Sequence, residues 1–184
     1  MNSKTVPRQR GGCLAPTDLN LIRRPLEFIA EDHLRERLIC AALDRIADSP
    51  LPDRGDLEMV LSFLELEFSL HHADEEDGLF PLMLKRCEPE DEIDRTILRL
   101  QAAHREAALS KPEILVLLRA LLHSGDSPDI EARDLLRAFA ASERQHLIVE
   151  NAIILPIARV RLTKDDLTAL TSGMQCRRGL DQTS

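Results

Sequence analysis

Apolar residues return along this chain at three- and four-residue steps, broken by short polar stretches rich in Pro, Gly and Asp. That spacing lines up side chains on one face of an α-helix, so the pattern predicts helices and not strands. The first helix runs from Pro25, a residue suited to a first turn, to Asp48-Ser49-Pro50; its apolar face holds Leu26, Ile29, His33, Cys40 and Ala47. After a loop over 51–55, the second carries Leu57, Leu61, Leu64, Phe68, His71, Glu75 and Leu79. Pro81 and Cys87-Glu88-Pro89 are expected to end or kink it. The third begins near Glu90-Asp91-Glu92, shows Ile93, Ile97, Leu100 and His104, and stops at His123-Ser124-Gly125. Within it, Ser110-Lys111-Pro112-Glu113 has the form of a capping box, where the helix should kink or restart. The fourth follows Pro128 with Leu135, Phe139, His146, Glu150 and Ile153 on one face, and Thr163-Lys164-Asp165-Asp166 caps a short fifth.

Four long amphipathic helices joined by short loops predict an all-α fold, an up-down-up-down antiparallel four-helix bundle with a short C-terminal helix. The expected division is a flexible tail over 1–19, the bundle over 20–161, and a short helix and tail over 162–184. The absence of Tyr and Trp and the wealth of Leu, Ala, Glu and Arg agree with a helical domain, and 184 residues suffice for one. A net charge of −8 argues against a nucleic-acid partner, although both tails are locally basic (Lys4, Arg8, Arg10; Arg177, Arg178). No apolar run approaches membrane-spanning length and no signal-like segment opens the chain, which points to a cytoplasmic protein away from membranes. The four cysteines are far apart, with Cys13 and Cys176 in expected tails and Cys40 in a core, so neither a disulfide framework nor a cysteine zinc site is indicated.

The chemistry lies in two segments that align without a gap. His71 to Pro81 and His146 to Pro156 each have a His, a Glu four residues later, an apolar pair, and a Pro ten residues after the His. On a helix, residues four apart share a face, so imidazole and carboxylate point the same way, which is metal-ligand spacing. His33 and His104 occupy the apolar faces of the other two helices. One such histidine is commonly a core residue; four, with two buried-face glutamates, fit a pair of iron or manganese ions better than a closed tetrahedral zinc site. His72 and Glu76 are rotated about 100° from that face and read as supporting or solvated groups, and Glu36 as a supporting group, an occasional ligand, or part of a surface cluster with Arg35 and Arg37.

These segments resemble the hemerythrin-like family, the HHE cation-binding domain. His71…Glu75-Glu76…Leu79-Phe80-Pro81 and His146…Glu150-Asn151…Pro156 are similar to its two most recognisable motifs; Glu31 to Arg37 resembles its first-helix ligand region, and Ala103 to Glu106 its third. The resemblance spans approximately 21–161. It implies a non-heme di-iron centre, oxo- or hydroxo-bridged, held by His33, His71, Glu75, His104, His146 and Glu150, with both glutamates bridging and manganese as the alternative metal. Oxygen-carrying members have a further His one turn after the third-helix ligand, where this chain has Ala108, and an Asp where it has Glu150. The four-His, two-Glu set is closer to the branch linked to iron–sulfur repair and stress response.

The leading expectation is a protein that binds or senses O2, NO or peroxide, in stress response or iron handling, with its protein partner unknown. A ferritin-type oxidase needs two Glu-x-x-His motifs and two further Glu; this chain has Glu143-Arg144-Gln145-His146 alone, with Gln101 where the second Glu would stand. Enzymatic turnover is therefore the weaker reading. A metal-free partner-binding bundle is the third, and it would leave Glu75 and Glu150 buried without a counter-charge.

Overall fold

The computed structural model describes residues 15–180. Most of the tail expected over 1–19, with Lys4, Arg8, Arg10 and Cys13, lies outside the described residues, as do residues 181–184. Leu19–Arg23 forms a 3-10 turn that buries Ile22.

Local chemistry sets the helix ends. Pro25 opens α1 (Pro25–Asp48), and Ser49, placed before Pro50, is extended and closes it. Asp53 accepts the Asp56 N–H at 3.1 Å to start α2 (Arg54–Leu66). The rod continues through α3 (Phe68–Asp74), a π-helical turn (Glu75–Leu79) and α4 (Phe80–Arg86). Then α5 (Ile93–Ser124) runs unbroken to Gly125, whose φ of 71° ends it. Asp129 caps α6 (Ile130–Val149), which passes through a second π turn (Glu150–Ile154) into α7 (Leu155–Arg161). Thr163 and Asp166 cap each other's backbone at the start of α8 (Lys164–Arg177). No described residue is in a strand, and no described helix is long and apolar enough to cross a membrane.

Three expectations are corrected. The helix does not restart at Pro112: its missing N–H and ring clash cost about 3 kcal/mol, but Ala107, Ile114, Leu118 and Leu121 keep one buried face across it. Pro81 does not end the second rod, which stops at Cys87, the other end expected for it; Pro156 likewise lies within a continuous rod. Each lies two residues past the carbonyl-sharing π turn, where the Phe80 N–H donates to Glu75 and the Leu155 N–H to Glu150, five residues back. A proline has no N–H for the carbonyl four residues back and clashes with it, and widening the preceding turn by one residue accommodates both effects. The extra residue also turns the helix face, so Ile154 is buried where Ile153 was expected; Ile153 is exposed. Thirdly, Arg177 and Arg178 do not belong to a loose basic tail: both pair with the buried Asp74, at 2.8 and 2.7 Å, and Arg178 lies over the Phe28 ring. Cys176 likewise sits in α8.

The rods close a ring: α1 packs on α2 and α6, and α5 packs on the same two. The core is not continuous along it. One apolar cluster gathers Ile39, Leu43, Leu64, Phe68, Leu118 and Leu136; another gathers Ile29, Leu79, Phe80, Ile97, Ile154 and Met174. Between them in all four rods lie the histidines and glutamates. α8 covers the second cluster and passes so close to Gly78 that a β-carbon there would stand 2.7 Å from Leu170 Cδ1.

Candidate metal centre

The two π turns begin at Glu75 and Glu150, so the same backbone irregularity presents both carboxylates. Oε1 of Glu75 is 3.4 Å from His33 Nε2, and Oε2 is 3.7 Å from His71 Nε2 and 3.5 Å from His104 Nε2. Glu150 mirrors this, with Oε2 3.4 Å from His33 Nε2 and 3.3 Å from His146 Nε2, and Oε1 3.6 Å from His104 Nε2. All six residues expected as ligands are thus brought together, each buried, with both glutamates at 0% exposure.

None of these inward-facing nitrogens and oxygens has a hydrogen-bond partner among the described residues. Orphaned carboxylates cost several kcal/mol each in a dry interior. The spacing is also informative. Two ligands about 2.1 Å from one ion are separated by about 3.0–3.4 Å at right-angled or tetrahedral geometry. The observed separations are too long for good hydrogen bonds and close to that range. His33, His71, Glu75 and Glu150 form one four-donor set, and His104 and His146 face it from the other side. These clustered His and Glu donors could hold metal.

Outward ring nitrogens meet carboxylates, the arrangement that fixes tautomer and orientation in histidine ligands. The Glu76 carboxylate accepts from His104 Nδ1 at 2.8 Å and from the Gln101 amide. Glu143 lies 3.3 Å from His146 Nδ1, and Asp32 lies 3.6 Å from His71 Nδ1. Glu76 therefore supports the site as expected. Asp32 and Glu143 were not foreseen in that role, although Glu143 precedes His146 by three residues, a spacing that shares a helix face.

Without a cation the chamber draws protons. Burial opposes charge on His146, yet Glu150, Glu36 and Glu143 outweigh it and push its pKa up to about 10. His71 is also raised, against burial, chiefly by Glu75, and His104 by Glu150 and Glu75. Burial would raise Glu150, but His146 and His104 hold it well below the usual carboxylate range. Glu36 goes the other way: burial, and then Glu143, push it well up. His72 is held neutral by burial and by the neighbouring rings of His104, His71 and His146.

His72 takes the supporting one of its two expected places: it is buried, stacked 4.0 Å from His104 between that ring and Phe68. One position departs from the sequence reading: Ala108 is exposed, whereas Ala107 is the buried residue one turn past His104. A cleft of about 220 Å³ between α5 and α6, lined by Leu100, Ala103, Val149 and Ile153, reaches His146 from outside.

The comparisons with known proteins agree with this geometry. A model of the hemerythrin HHE cation-binding domain matches residues 24–158, from the start of α1 into α7. The chain belongs to that family. The match takes in both π turns and every residue of the chamber. It is also 26% identical over 172 residues to a Haemophilus influenzae protein described as uncharacterized, covering 90% of this chain and 96% of that one.

Proposed function

We propose that this HHE-domain chain is a non-heme di-iron protein, its four rods running up-down-up-down, that binds or senses a small oxidant or diatomic (O2, NO or peroxide). Stress response or iron handling is the setting we favour, with manganese as the alternative metal. What carries the reading is the convergence of four Nε2 atoms and two carboxylates, from four helices, with no hydrogen bond made by any of them among the described residues. His33, His71, Glu75, His104, His146 and Glu150 would hold the metals, with Glu75 and Glu150 spanning both. A bound iron pair would supply one-electron redox chemistry and open coordination positions. The chain's own part is to keep the chamber dry, to hold the His104 ring through Glu76, and to set Asp32 and Glu143 beside His71 and His146. The cleft of about 220 Å³ beside His146 supports the reading by giving a small oxidant or diatomic an approach to that ring from outside.

The ferritin-type oxidase reading is weaker because Gln101 donates outward to Glu76 instead of supplying a carboxylate. The test is metal analysis with near-ultraviolet spectroscopy on protein purified without chelator. About two irons per chain, with the charge-transfer absorption of a bridged ferric pair, are expected. Metal-free protein that cannot be loaded with Fe2+ or Mn2+ would refute the proposal.

A further inference from the structure

Beside the chamber, Glu36, His72 and Glu143 converge on His146, and donor atoms from all four lie within 4.8 Å of one another. We propose that these residues form a further divalent-cation position, adjoining the metal pair and weaker than it. The inference rests on the di-metal reading in one respect, that it shares His146 with that site.

The donors are unspent. Both oxygens of Glu36, Nε2 of His72, Oε2 of Glu143 and Nδ1 of His146 lack hydrogen-bond partners among the described residues, and their residues are 1%, 8%, 2% and 3% exposed. Packing alone does not account for His72, since a phenyl ring would stack on Phe68 and His104 without burying a nitrogen. Two adjacent buried carboxylates are costly in any case, and a cation between them removes the repulsion.

Charge points the same way. Six carboxylates contact these imidazoles: Asp32, Glu36, Glu75, Glu76, Glu143 and Glu150. Glu36 and Glu143 are the two of these that face His146 beside the chamber with both residues buried, and a cation between them would let both ionise. Glu36 also lies 3.7 Å from His71, so the position abuts the pair on two sides. Carboxylate oxygens with imidazole suit Mn2+, Fe2+ or Zn2+. Ligation through both ring nitrogens requires His146 to release its remaining ring proton to solvent as an imidazolate, and that cost makes this ion the first to leave.

The test is equilibrium dialysis of the metal-free full chain against Mn2+, with free Mn2+ read by electron paramagnetic resonance. About three ions per chain are expected for the unmodified protein, one of them weaker, and about two for Glu36→Gln, which keeps every proposed ligand of the pair. His72→Phe, which preserves the stack, should also lose the weak ion and retain the pair. Two ions in all three proteins would overturn the inference and leave the di-metal reading standing. Loss of all Mn2+ from the Glu36→Gln variant would overturn it too, by assigning that carboxylate to the pair. No Mn2+ in the unmodified protein would refute both.

Discussion

Glu150→Gln is the most direct test of the shared chamber, because the substitution keeps volume and removes charge. Glu150 faces His33 and His146 with one oxygen and His104 with the other, so it reaches both sides of the proposed pair. The amide retains one neutral donor oxygen, and bridging should fail. A ligand present at 100 times its dissociation constant stabilises a fold by about 2.7 kcal/mol, so two ions contribute about 5.4 kcal/mol. For a chain of this size, each kcal/mol moves Tm by about 2–4 °C. Metal should therefore raise the Tm of the unmodified protein by roughly 10–20 °C over chelated protein, and Glu150→Gln should lose most of that gain. Glu76→Gln is the graded comparison: it leaves the ligands and weakens the support of His104, for an expected 10–100-fold loss of affinity. Differential scanning fluorimetry with Mn2+ or chelator reads both, and circular dichroism of the chelated variants checks that they fold. A Glu150→Gln protein with two ions and the full metal-dependent rise would refute the ligand assignment.

Metal uptake should release protons. His146 in the metal-free fold holds its proton up to about pH 10, and His71 and His104 are raised as well, so at pH 7–8 the incoming ions displace bound protons. Calorimetry in buffers of different ionisation enthalpy should find about two or more protons released per chain, and none would contradict the charged chamber. For the chelated protein the sign is set by the raised pKa: the His146 contribution to stability is complete below its unfolded pKa of about 6.5 and is lost as pH rises towards about 10. Gly78→Ala should destabilise the fold by about 1–3 kcal/mol, because its β-carbon meets Leu170 Cδ1 at 2.7 Å under α8; in a denaturant double-mutant cycle Leu170→Ala should relieve part of that cost, and strict additivity would count against the contact. Arg86 and then Thr163 hold Asp166 well below the usual carboxylate range, so this anchor of α8 is present above the unfolded Asp pKa of about 3.9 and is lost as pH falls further. Asp166→Asn should accordingly flatten the acid limb of the Tm–pH curve.

Much of this was legible in the sequence because one rule, a buried residue every three or four positions, governs α1, the α2–α3 rod and the first half of α5. Leu26, Ile29, His33, Leu57, Leu64, His71, Ile97 and His104 are all buried where that rule puts them. The rule fails at the π turns, which shift the face and replace Ile153 with Ile154. The signal was present as a proline six residues after each glutamate, but its effect on backbone register is not a matter of periodicity. Nor does spacing tell which of two adjacent residues enters a chamber. Ala107 and Ala108 straddle the inward direction, as do His71 and His72, and the packing of neighbouring rods decides each case. The carboxylates Asp32 and Glu143 were hidden among abundant acidic residues, and only their approach to ring nitrogens distinguishes them.

Helices in a bundle ordinarily fray from their tips, because the terminal turns have the fewest neighbours. Here the two apolar clusters grip the rods toward either end, and the stretch between them is lined by groups that repel water poorly and one another strongly. With the cations withdrawn, the waist becomes the softest part of each rod. Amide exchange in chelated protein should then be fastest around His71–Glu75 and His146–Glu150, in mid-helix, and slow on both sides of them. Loss of metal would thus be felt as bending at the midpoint, with each end moving as a unit, so the contents of the chamber set the stiffness of the whole bundle.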